Sequence, residues 1–185
     1  MQALEKPTHV LYFAYGSNMS PEQIGERCAK PEFLATARLP GYRVGFFGHS
    51  KTWDGAQATV VPDKDKDVWG AVYRLSVSDM DRLDNYQDVR IDGTGAYFDY
   101  PAEVVDGDGI IHSVILYKKD ILGESLPPSR PYLDRILDGA RMRKLPEDYV
   151  GTFGLTSSKE PSYEVPKQGN AEMLFRVNTA CEGCG

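Results

Sequence analysis

Histidine and cysteine are scarce in this 185-residue chain, with three of each. His9, His49 and His112 stand far apart and form no H-x-x-x-H pair, so a zinc enzyme is not expected. Cys28, Cys181 and Cys184 are too few and too unevenly placed for a disulfide framework. Cys181-Glu-Gly-Cys184 is formally a C-x-x-C pair, but it stands alone among glycines and reads as a flexible tail. No metal site is expected. Positive charge is also short. Lys and Arg number 21 against 27 Asp and Glu, and a net charge of −6 argues against nucleic acid as partner. No run approaches the roughly 18 apolar residues of a membrane span, and residues 1–7 lack the apolar core of a leader. A cytoplasmic protein with no membrane partner is expected. No Gly-Lys-Ser/Thr follows any glycine-rich loop, which excludes a P-loop. No spaced Ser/His/Asp set suggests a hydrolase triad.

What is present suits one compact domain, because 41% of the residues are apolar, enough to fill a core. Val10 to Tyr15 is a β-branched and aromatic run that reads as a buried strand ending at Gly16. Ser20, Pro21 and Gln23 then spell a helix start, with Gln23 completing a capping box. Leu39 to Tyr42 reads as a turn and Arg43 to Phe47 as a strand. Gly48 to Gly55 is polar and loop-like. Ala56 to Val61 and Val68 to Leu75 read as two strands joined by a charged turn, Pro62 to Asp67. Ser78 is taken as the cap of a helix from Asp79, with Met80, Leu83 and Tyr86 or Gln87 on one face. Tyr97 to Val105 and Ile110 to Tyr117 form a hairpin around Asp106-Gly-Asp-Gly109. Ser129 starts a helix through Ala140, and Pro146-Glu-Asp opens a short one. The expected fold is α+β, a small mixed, barrel-like β-sheet with peripheral helices. Residues 1–157 are read as the domain. Residues 158–185, rich in Ser, Lys, Pro and Gly, are read as an extension winding over its surface or flexible.

Two features carry chemistry. In Tyr15-Gly16-Ser17-Asn18, a glycine sits where a strand turns into a helix. Close approach to the backbone and free N–H groups there favour an anionic or carbonyl oxygen. Eleven tyrosines supply rings with hydroxyls that need partners, and several together would build a polar pocket for a zwitterion.

Phe13-Ala14-Tyr15-Gly16-Ser17-Asn18-Met19 resembles the Y-G-S-N motif of γ-glutamylcyclotransferases, which include AIG2-like proteins. Val68-Trp69-Gly70-Ala71-Val72-Tyr73 is similar to the family's V-W-G-V-V-W strand, and Leu83-Asp84-Asn85-Tyr86-Gln87-Asp88-Val89 to its L-D-x-x-E-G-V segment. Pro127-Pro128-Ser129, Tyr132 and Gly139-Ala140 continue the likeness, which covers roughly residues 10 to 150. The resemblance implies a lyase that needs no cofactor. The substrate's own α-amine attacks its γ-carbonyl carbon, giving 5-oxoproline and a free amine. It also implies a γ-glutamyl small molecule bound by Tyr12, Phe13, Ala14, Tyr15, Gly16, Ser17 and Asn18, ringed by Tyr97, Tyr117 and Tyr132, and a homodimer as an assembly to test. The family's proton carrier is a glutamate, and Gln87 stands at its position. Four readings stay open: a chain inactivated by this substitution, Asp88 acting instead, a relative that binds without cyclising, or another acid such as Glu103. Phe46, Phe47 and Trp53 are candidates for receiving the leaving group, or core residues.

Overall fold

The computed structural model describes residues 8–167. Cys181 and Cys184 lie outside the described residues. Five strands close into a small barrel in the order β1-β3-β2-β4-β5, where β1 is His9–Ala14, β2 Glu32–Ser50, β3 Gly55–Ser76, β4 Phe98–Asp106 and β5 Ile111–Lys118. The sheet is mixed because β1 pairs parallel with β5, at Tyr12 and Ile115, and antiparallel with β3. Closure removes open sheet edges. The helices are α1 Pro21–Arg27, α2 Val77–Tyr86, α3 Arg130–Met142 and α4 Glu147–Gly154. The α+β barrel-like expectation holds. No helix among the described residues is long and apolar enough to cross a membrane.

Several local readings are corrected. Pro62 to Asp67 does not separate two strands, since β3 runs through it for 22 residues. Its flanks both pair with β2, Pro62 with Tyr42 and Asp67 with Pro40, and the charged residues between them have no strand partner there, so the stretch is an irregularity within one strand rather than a turn between two. Arg38–Asp67 at 3.0 Å and Arg43–Asp63 at 3.7 Å tie this stretch to β2. Leu39 to Tyr42 is likewise a bulge inside β2, with Gly41 at φ 79°, rather than a turn between elements. The cap of α2 is Ser76, whose Oγ accepts the Asp79 N–H at 3.1 Å, not Ser78. Ser129 stands at the N-cap of α3 but makes no capping bond, and its buried Oγ has no partner.

Two contacts position the turn that follows β1. Its residues Ser17–Met19 form one 3-10 turn, closed by Met19 N–H on Gly16 O at 3.0 Å and Ser20 N–H on Ser17 O at 3.1 Å. On β3, Tyr73 is fully buried and donates its hydroxyl to Met19 O at 3.1 Å. On α3, Gly139 lies so close that a Cβ there would stand 2.6 Å from the Ser20 nitrogen. The chain after α4 also packs down. Asp54, 4% exposed in the β2–β3 turn, accepts the Ser162 N–H at 2.6 Å, the Ser162 hydroxyl at 2.8 Å and Lys159 Nζ at 3.3 Å. His49 Nε2 lies 2.9 Å from the same carboxylate. These bonds, the Ser162 amide first, hold the Asp54 carboxyl well below the ordinary carboxylate range.

Candidate active site

A small cleft opens between the 3-10 turn, the start of β3 and the C-terminal end of α2. Tyr12, Tyr15, Tyr97, Tyr117 and Tyr132 line it, together with Gly16, Ser17 and Asn18. So the sequence-predicted tyrosines and the turn, distant in the chain, converge on one cavity. Two predicted residues do not reach it with their side chains. Phe13 and Ala14 are fully buried in the core. The Phe13 ring packs over Gly70, where a Cβ would stand 2.8 Å from its Cζ. Successive strand residues alternate faces, so Tyr12 and Phe13 cannot share one.

The tyrosines are held by the fold as much as they hold it. Tyr97 donates its hydroxyl to Ala58 O at 2.6 Å, and the Ala58 N–H donates to Tyr132 Oη at 3.2 Å. Tyr15 donates to the Tyr117 carbonyl. Burial pushes the phenols of Tyr12, Tyr15, Tyr97, Tyr117 and Tyr132 above their ordinary value, so they act as neutral hydroxyls.

The turn is braced by a residue whose expected role was local. Only half of the capping box forms. Ser20 Oγ accepts the Gln23 N–H at 3.4 Å, but the Gln23 amide donates to Ser17 Oγ at 2.7 Å and Asn18 Oδ1 at 2.9 Å. Asn18 Oδ1 also accepts from Arg27 at 3.0 Å, and Asn18 Nδ2 donates to Tyr12 Oη at 3.0 Å. Asn18 is thus a brace between α1 and β1. Ser17 and Asn18 have no acceptor for their N–H groups within the turn.

Gln87 is on the cleft wall, as the C-cap of α2, with its N–H on Leu83 O at 2.9 Å. Asp88 turns away. It adopts φ 52°, is exposed, and accepts Arg90 Nε at 2.8 Å and the Ala96 N–H at 3.2 Å. Glu103 is exposed on β4, in a different groove. Neither alternative acid faces the cleft. The carboxylate that adjoins it is Asp84, one turn before Gln87, which accepts the Tyr117 hydroxyl at 2.7 Å. Burial raises its carboxyl above the ordinary value, partly offset by that bond. The buried Cys28 thiol is pushed up to about 12, by burial and then by Asp79, which excludes a thiolate nucleophile there.

Of the three aromatic residues considered for a leaving group, Trp53 alone lines the cleft, with its ring 5.1 Å from Tyr132. Phe46 meets Tyr132 edge-to-face with ring centroids 6.5 Å apart, and it and Phe47 line a separate groove. Arg27, Thr52, Gln57, Ala58 and Tyr86 complete the wall. Helical spacing had placed Tyr86 on one face with Met80 and Leu83, but Arg27 and Gln57 carried no local sign, because their roles depend on the barrel's closure. Among the described residues no group of three or more His, Cys, Asp or Glu could hold a metal.

The AIG2-like family model matches residues 67–153, a stretch that includes Tyr86, Gln87, Tyr97, Tyr117 and Tyr132 of the cleft wall. γ-Glutamylcyclotransferase from Homo sapiens is 33% identical over 143 residues, which are 75% of this chain and 74% of the human protein, and the Bos taurus protein gives the same figures. A solved γ-glutamyl cyclotransferase superposes with a TM-score of 0.79 at 29% identity, covering 91% of this chain and 99% of that structure. The chain belongs to the γ-glutamylcyclotransferase family.

Proposed function

We propose that this chain binds a γ-glutamyl amide in the tyrosine cleft and is built to close it to 5-oxoproline with release of an amine. The observation that carries this is the convergence of the Gly16–Asn18 turn, five tyrosines and Gln87 on one cavity. In the reaction the substrate's α-ammonium first gives up a proton, and the freed nitrogen lone pair bonds to the γ-carbonyl carbon as the carbonyl π pair moves to oxygen. That pair then returns as the old C–N bond breaks; the α-nitrogen loses a second proton, and the two protons end on the departing nitrogen, which leaves as an ammonium. No cofactor enters the balance. Because the attack is intramolecular, holding the chain folded supplies much of the rate. The N–H groups of the 3-10 turn are suited to the oxyanion. The Gln87 amide can accept a hydrogen bond from the ammonium group but cannot carry its proton near neutrality.

Gln87 therefore supports a second reading, a protein that binds γ-glutamyl compounds and turns them over slowly or not at all. The experiment is 5-oxoproline release from a panel of γ-glutamyl amines by the chain and by Gln87→Glu. Turnover by the variant alone supports the assignment of the position and the second reading for this chain. Equal turnover by both removes the proton-carrier role from the position. No turnover and no binding by either overturns the γ-glutamyl reading. The broader reading is of a cytoplasmic enzyme of γ-glutamyl or glutathione-conjugate metabolism, including secondary metabolism. Residues 1–157 are its domain and 158–185 its extension. A homodimer is tested by its mass in solution.

A further inference from the structure

Among the described residues the cleft wall carries no carboxylate: Gln87 stands where an acid would serve, and the other lining residues are neutral or, at Arg27, cationic. One acid nevertheless reaches the cavity through a residue of the wall. Tyr117 lines the cleft, is buried, and donates its hydroxyl to Asp84 Oδ1 at 2.7 Å. Asp84 precedes Gln87 by three residues, so the two stand one turn apart on the same side of α2. The phenol is held in place by the Tyr12 ring at 5.3 Å and the Tyr97 ring at 6.5 Å. Its proton is committed to Asp84, so its oxygen keeps lone pairs with which to accept another. That polarity suits an ammonium group. Asp99 lies opposite Tyr117 in the β4–β5 ladder, so a second acid stands beside this pair. Burial raises the Asp84 carboxyl, against the lowering effect of the Tyr117 bond, and a carboxylate so placed takes up a proton more readily than one in water.

We propose that Asp84, acting through the Tyr117 hydroxyl, stores the proton of the cyclisation in this chain, a relay in place of the direct transfer that Gln87 cannot make. This rests on the γ-glutamyl reading above and adds to it the route of the proton. As an N–H bond of the substrate ammonium breaks, an O–H bond forms on Tyr117 and the hydroxyl's original proton passes to Asp84. The two transfers are concerted, because burial holds the phenol far from ionisation. The freed lone pair attacks the γ-carbonyl carbon. In the tetrahedral intermediate the entering and departing nitrogens are bonded to that one carbon, so one hydroxyl serves both. Asp84 returns its proton to Tyr117 as Tyr117 gives one to the departing nitrogen. The second proton of the α-nitrogen follows the same route, and Tyr117 and Asp84 end as they began.

The test uses the full chain, Asp84→Asn, Tyr117→Phe and their double variant, each with Gln87 and with Gln87→Glu. Release of 5-oxoproline from γ-glutamylalanine and γ-glutamylethylamide is followed, with binding by calorimetry and a thermal melt. Asp84→Asn keeps an oxygen to accept the Tyr117 hydroxyl and removes only the ability to hold a proton. With Gln87, each single variant should lower kcat by about 10- to 100-fold, with the loss in kcat rather than in affinity. The double variant should lose little more than either single one, because both break the same chain. Gln87→Glu should rescue Asp84→Asn, raising its kcat by a larger factor than it raises that of the wild-type chain. A wild-type chain that binds but releases no 5-oxoproline overturns the relay and leaves the γ-glutamyl reading standing. So does Asp84→Asn with kcat within about 3-fold of wild type, or an equal loss in both backgrounds, which marks a structural role. If neither ligand binds the wild-type chain, both fall. Should Asp84→Asn fail to fold, Tyr117→Phe decides by the same comparison of backgrounds.

Discussion

At the scale of the residue, the proposal is tested most directly at Gln87. Gln87 has nearly the shape of glutamate and sits on the cleft wall, so Gln87→Glu should place a titratable group there without disturbing α2. General acid–base help is worth about 10²–10⁴-fold. We expect kcat for 5-oxoproline release to rise by about that factor in Gln87→Glu, with KM changed only a few-fold. Asp88 should not matter to the chemistry, because its carboxylate is occupied by Arg90 and the Ala96 N–H. In the Gln87→Glu background, Asp88→Asn should leave kcat within about 3-fold in the same assay. A loss that cancels the whole gain from Gln87→Glu would mean that the loop rearranges to bring Asp88 inward.

Elements set the position of the turn after β1, and α3 does so through a missing side chain. The Gly139→Ala methyl would stand 2.6 Å from the Ser20 nitrogen, so the helix or the turn must shift. Overpacking of this kind costs about 1–3 kcal/mol. Thermal unfolding should show it as a lowered Tm, with weaker γ-glutamyl binding than the stability loss alone explains. The segment after α4 depends on Asp54 in the same way. Asp54→Ala removes the acceptor for Ser162 and Lys159, and limited proteolysis should then cut within 158–167 faster than in the wild-type chain. The carboxyl of Asp54 is depressed, so its hold is present above the ordinary carboxyl pKa of about 4 and is lost as pH falls below it. The same cut should therefore speed up in acid.

This is also the scale at which the sequence was readable and then stopped being so. The strand ending at Tyr15, the Asp106–Gly109 hairpin and the helix after Ser129 were legible because alternation, a two-glycine turn and a 3.6-residue period are local signals. The tyrosines and the turn were legible through resemblance. Pro62–Asp67 misled because its charges look like a turn between two strands, whereas Pro62 and Asp67 both pair with β2 and the residues between them interrupt that pairing without ending the strand. The bonds of Gln23 to Ser17 and Asn18, and the places of Arg27 and Gln57 on the cleft wall, were invisible because nothing local distinguishes a surface polar residue from one turned inward when five strands close.

The whole molecule should register the acids crowded near the cleft as a pH dependence of stability. Asp99 on β4 is raised to about 6, first by burial and then by the charge of Asp84. A carboxyl with a raised pKa holds its proton more tightly when folded. Its contribution is fully present below the unfolded value of about 4 and is lost as pH rises from about 4 to 6. Denaturant unfolding across that window should show stability falling with pH, and Asp99→Asn should flatten the fall. An unchanged slope in the variant would assign it to another group.

The unbroken run of β3 has a mechanical meaning. One ribbon carries Gln57 and Ala58 at the cleft and, fifteen residues later, the Tyr73 hydroxyl that clamps the Met19 carbonyl of the binding turn. The wall of the cavity and the clamp on its turn are therefore borne by one strand, so a change in how β3 lies against β2 would be felt at both at once.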